Sequence, residues 1–206
     1  MSYREIKDFE YAPMKLNIEE IEDPQKVIES FFDHCSLKMY RKYISSVLKS
    51  AYADSHWTKD VPAALLRLHE HIERLIEAAF IINFNPTNIK FNESLIVNEN
   101  VLTEEIIEPS LYVGRNANSS NWDFFPRYLS EKEFLNPCRV FKKFFAYKNL
   151  PAWREQVYKL IYYALISDGT DTAGVEIDYL TVYILLQKLI EASHLILVRE
   201  INKTRK

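Results

Sequence analysis

Ligand-type side chains crowd together at two places in this chain, His69-Glu-His71-Ile-Glu73 and Glu191-x-x-His194. Imidazoles and carboxylates are the donors of zinc, manganese and iron sites, and a Glu-x-x-His step is one half of a di-iron bundle motif. A di-iron centre needs a second such step and two further glutamates, yet the residue matching His194 at an internal offset of 114 is Phe80. His69 and His71 diverge by about 200° on a helix and do not converge on one ion, whereas His69 and Glu73 share a face. A metal-dependent enzyme built on Glu77, Glu191 and His194 is therefore a minor reading, and no cofactor is expected.

Other chemistries are less well supplied. Arg139, Lys142 and Lys143 fall at i, i+3 and i+4 beside Phe141 and Phe144, a basic stripe able to contact a phosphorylated ligand or nucleic acid. Arg67-x-x-x-His71 is one residue short of the spacing that a HEPN-type ribonuclease motif requires. Asp168-Gly-Thr-Asp-Thr-Ala-Gly174 lacks the alternating acids and closing glutamate of a calcium loop and reads as a turn between helices. The chain has no Gly-rich phosphate loop, no nucleophile elbow and no Cys-x-x-Cys pair, and nothing in the sequence marks Cys35 or Cys138 as a nucleophile.

The elements that must position these residues come as an internal repeat. Aligning residues 11–55 with 124–168, at an offset of 113, needs no gap and gives ten identities in forty-five pairs. Chance at ordinary composition gives about three. One residue of slippage later, Leu75-Ile-Glu-Ala78 recurs as Leu189-Ile-Glu-Ala192. Each copy opens on a capping box, Asn17-x-x-Glu20 and Ser130-x-x-Glu133, which assigns those glutamates to structure. Asp23-Pro24 and Asn136-Pro137 then start a second helix, with the proline at its first position. Its apolar face carries Val27, Ile28, Phe31 and Phe32 in one copy and Val140, Phe141, Phe144 and Phe145 in the other. A third helix follows, with Pro151 in its first turn in the second copy, and a fourth spans about Pro62 to Asn83 and about Val175 to Asn202. The last is apolar nearly all round and belongs inside.

Shared polar residues that no cap explains are Arg41/Arg154 and Glu77/Glu191. Buried charge demands a partner, so an Arg–Glu pair inside each repeat or across a pseudo-dyad is the expected arrangement. The competing reading is a cleft in which both arginines clamp a carboxylate or phosphate.

A 206-residue chain with 48% apolar residues, 14% aromatics and three glycines is a folded protein without the turns of a large β-structure. A net charge of −3 gives no overall attraction to polyanions, so any nucleic-acid role needs a local patch. Two cysteines without metal spacing, a polar N-terminus and a longest apolar run of only Leu160 to Ile166 suggest a reducing, cytoplasmic setting without a membrane. The expected fold is all-α: a single domain of repeat 1 (about 8–83), an irregular strap (84–120) that can carry a small β-hairpin and a short helix at 103–108, and repeat 2 (about 121–202). The expected function is a non-enzymatic interaction or scaffold module whose partner is another protein, anchored by aromatics near Trp122-Asp-Phe-Phe125 or at Tyr162 and Tyr163. Binding of a phosphorylated ligand or nucleic acid is the first alternative.

Overall fold

A computed structural model describes residues 11–53, 56–84, 123–166 and 177–201. The proposed hairpin and helix of the strap, the loop at Asp168 and the tail beyond Ile201 lie outside the described residues. Among those described, the chain is helical throughout: α1 (Ile18–Glu22), α2 (Gln25–His34), α3 (Leu37–Tyr52), α4 (Pro62–Phe84), α5 (Glu131–Leu135), α6 (Cys138–Tyr147), α7 (Leu150–Leu165) and α8 (Tyr179–Ile196), the last continued by a π-helical turn, Leu197–Ile201.

Local chemistry sets the helix starts. Both capping boxes form: Glu20 N–H donates to Asn17 and Asn17 N–H to Glu20, while Ser130 N–H donates to Glu133 at 2.9 Å. Pro24 and Pro137 already have helical φ and ψ but stand one residue before α2 and α6, a register one step later than the sequence suggests. Their missing N–H costs nothing there. Ser36 and Asn149, which sequence reading passes over, cap α3 and α7 by accepting from Met39 N–H and Ala152 N–H. The fourth helix of the second half begins at Tyr179, behind an Asp178 side chain that accepts from Thr181 N–H, rather than at Val175.

Helices α1, α2 and α3 match α5, α6 and α7 in length at 5, 10 and 16 residues. Their packing is reciprocal. α3 lies against α7, α3 packs on α8 while α7 packs on α4, and α2 touches both α4 and α8 as α6 does. One continuous apolar cluster runs through both halves, from Ile28 and Tyr40 to Trp153 and Leu195. Within it Phe31 stacks on Tyr40 with ring centroids 3.8 Å apart, and Phe144 stacks on Trp153 at 3.9 Å. The Tyr40 hydroxyl donates to Phe31 O at 2.8 Å, and Trp153 Nε1–H donates to Phe144 O at 2.9 Å.

By length and composition alone the stretch Tyr179–Arg199 could cross a bilayer, but 72% of its 18-residue apolar window is buried against the rest of the protein. That is the burial of a core helix.

Candidate functional site

The shared charges pair across the two halves. Arg41 on α3 meets Glu191 on α8, with Nε donating at 3.0 Å and the guanidinium forming a second bond to the same carboxylate. Arg154 on α7 meets Glu77 on α4, with Nη2 donating at 2.6 Å. Both glutamates are fully buried. Each carboxylate also accepts two successive backbone amides, Met14 and Lys15 for Glu77, Arg127 and Tyr128 for Glu191. The guanidiniums complete their shells on carbonyls: Arg41 donates to Asp123 O and Phe125 O, and Arg154 to Ala12 O. This geometry ties the bent segment ahead of each first short helix to the glutamate of its own half and to the arginine of the other. The arginines are thereby engaged in scaffolding, and Arg41 also borders an open cleft.

The other metal candidates are separated. His69 Nε2 lies 3.4 Å from Glu73 on the same helix, while His71 turns to Tyr40 and to the His34 ring, 4.4 Å away. No group of three or more metal-ligand side chains gathers among the described residues. His194 is buried between the rings of Phe32 and Phe124. Burial pushes its imidazole down to about 3, with the Arg41 guanidinium adding to the effect. The folded protein thus holds His194 neutral while the unfolded chain binds a proton near the ordinary 6.5. Stability therefore falls as pH drops below about 6.5 towards 3, because the unfolded state takes up the extra proton. His194→Leu is expected to flatten the fall in melting temperature between about pH 7 and pH 5; an unchanged slope would sink this assignment.

Glu133 is fully buried beneath Lys143 and Lys188, whose ammoniums donate to it at 2.7 and 2.6 Å. Burial alone would raise this carboxyl, but the two lysines and Ser130 hold it down at about 2. Lys143 of the predicted basic stripe is therefore committed to Glu133, while Arg139 and Lys142 are exposed. Glu20 plays the matching part on α1, pairing with Arg74. Burial pushes the Cys35 thiol up to about 11, which leaves it a poor nucleophile at neutral pH. Of the proposed aromatic anchors, Phe124 is core and Phe125 half-buried, Tyr163 is half-buried, Tyr162 is exposed, and Trp122 lies outside the described residues.

Sequence reading missed a cleft of about 790 Å³ over the outer face of α3. Its cations are Lys38, Lys42, Lys49, Lys59 and Arg127, beside Arg41 at its edge. Among the described residues Asp123 is the one carboxylate in the lining, and it is already held by Lys38 at 2.7 Å and Arg127 at 3.6 Å. Lys42, Lys49 and Lys59 are exposed and make no ion pair among the described residues. Hydroxyls form a chain along one wall, from Tyr128 to Tyr183 at 2.7 Å and from Tyr183 to Ser45 at 3.1 Å. Its hydrogen bond to Tyr183, together with burial, raises the Tyr128 phenol to about 12, so it stays protonated.

Lys38, Lys42, Ser45 and Lys49 follow i, i+4, i+7 and i+11 and share about 60° of helix arc. At the same offset α7 carries Pro151, Glu155, Tyr158 and Tyr162. Comparing what the copies do not share would have found this stripe. No family model, curated protein or solved structure matches the chain.

Proposed function

We propose that this chain is a non-enzymatic interaction protein. In this reading two homologous helical repeats are fused around a pseudo-twofold axis, and the cleft of the first repeat holds an anionic partner. Equal helix lengths, matched caps and the reciprocal Arg–Glu pairs support the duplication. So does the helix exchange, since two units of roughly 75 residues gain stability by sharing one core.

The observation that carries the function is the one-sided stripe. Its Lys42 and Lys49, with Lys59 beside them in the cleft, make no ion pair among the described residues of a protein whose net charge is −3. Like charges placed side by side repel and lower stability, so their retention on one repeat alone is best accounted for by a ligand that neutralises them. A protein partner is the second reading, favoured by Tyr158 and Tyr162, which are exposed and stack at 6.1 Å on the matching face of α7.

Titration with inorganic polyphosphate at low salt separates the two. Binding is expected, and Lys42→Ala with Lys49→Ala is expected to weaken it about tenfold or more, whereas Tyr158→Ser with Tyr162→Ser leaves it unchanged. Absence of binding at low salt, or equal binding by the lysine variant, would remove the anionic reading.

A further inference from the structure

We infer that the anion held by this cleft is the phosphodiester backbone of a single-stranded nucleic acid, with at least one base stacked on a cleft tyrosine. The inference rests on the anionic reading above and names its ligand.

The first argument is the shape of the charge. From Lys38 to Lys49 the stripe rises eleven residues, about 16 Å along the helix axis. That length spans about five phosphates of a stacked strand and fewer of an extended one. A row of charges suits a linear polyanion, whereas a lone phosphate needs converging donors. The second is the type of cation. The cleft side chains that make no ion pair among the described residues are lysines, point charges on flexible stems that follow a backbone without reading sequence, while Arg41 and Arg127 are engaged with Glu191 and Asp123.

The third is aromatic. Tyr43, Tyr128 and Tyr183 line the same cleft, and all three rings are half-buried rather than sealed. Unpaired bases stack on such rings irrespective of their identity, whereas bases in a duplex are already stacked on one another. The Tyr128–Tyr183–Ser45 chain adds hydroxyls of the kind that contact phosphate and sugar oxygens. Carboxylate polymers and polyphosphate can use the lysines but not the rings.

The test is fluorescence anisotropy with four probes of matched length at about 50 mM salt: oligothymidylate, oligouridylate, a DNA duplex and polyglutamate, with polyphosphate as competitor. Both single strands should bind more tightly than the duplex and polyglutamate, and their relative affinity identifies DNA or RNA as the better source. With three lysines engaged, the log–log salt slope should be about −2, an affinity loss of about 20-fold between 50 and 200 mM salt. Tyr43→Leu should weaken the single strands about 5- to 100-fold and leave polyphosphate competition unchanged. Lys42→Ala with Lys49→Ala, both at exposed positions, should reduce every interaction and shorten the slope.

If polyphosphate or polyglutamate binds through the lysines but the single strands bind no better than the duplex, the nucleic-acid inference fails and the anionic reading survives. If no polyanion binds, both fail.

Discussion

Glu191→Ala is expected to lower the free energy of unfolding by about 3–5 kcal/mol, a large share of the 5–15 kcal/mol that holds an ordinary domain together. The substitution strands the buried Arg41 guanidinium and removes the acceptor for the Arg127 and Tyr128 amides. Unpaired groups of this kind lose their water without replacement. Replacing both partners by apolar residues often restores stability at a simple buried ion pair, but here it would not. The two amides, and the Asp123 and Phe125 carbonyls that Arg41 serves, would still lose the bonds that this cluster gives them. Glu77→Ala is expected to cost a similar amount, because Arg154, Met14, Lys15 and Ala12 repeat the arrangement. Urea unfolding of the two variants checks this, and a loss below about 1 kcal/mol in both would mean that the pairs do not hold the halves together.

Trp153→Ala is the second large effect, at about 3–5 kcal/mol. The indole is fully buried, lies flat on Phe144 and donates to its carbonyl, so truncation opens a cavity and leaves that carbonyl with the longer 3.4 Å bond from Lys148 N–H. Trp153→Phe keeps a ring over Phe144 and should recover more than half of the loss. Equal destabilisation by the two substitutions would place the weight on the hydrogen bond instead of the stack.

What was legible in the sequence was what local spacing controls. Capping boxes act within four residues and apolar stripes within one helix, so α1, α2, α5 and α6 could be placed to within a residue or so. The demand that Arg41 and Glu77 find partners was also legible, since an unpaired buried charge is untenable. Which glutamate each arginine meets was not. Periodicity tells which face of a helix is buried but not which helix covers it, and only the exchange of α4 and α8 between halves decides that Arg41 reaches Glu191.

The cleft was missed for a different reason. Comparing the copies for identities selects core and caps, whereas Lys42 and Lys49 stand where the second copy has Glu155 and Tyr162. In the duplicated scaffold proposed above, function is expected where the copies diverge. Arg139, Lys142 and Lys143 also diverge from the first copy, but Lys143 is drawn into the Glu133 network. Sequence spacing alone could not separate a structural lysine from one left for a ligand.

The measurement that tests this account most directly is the melting temperature of the parent protein and of the Lys42→Ala, Lys49→Ala variant, each with and without oligothymidylate at about 100 times the parent's Kd. A ligand that binds only the folded state at that excess contributes about 2.7 kcal/mol, which in a chain of this size raises the melting temperature by about 5–10 °C. The account predicts that rise in the parent, its near-disappearance in the variant, and a variant no less stable than the parent when ligand is absent. A ligand-free variant that melts several degrees lower, or one that keeps the full rise, would show that the stripe belongs to the scaffold and that the binding surface lies elsewhere.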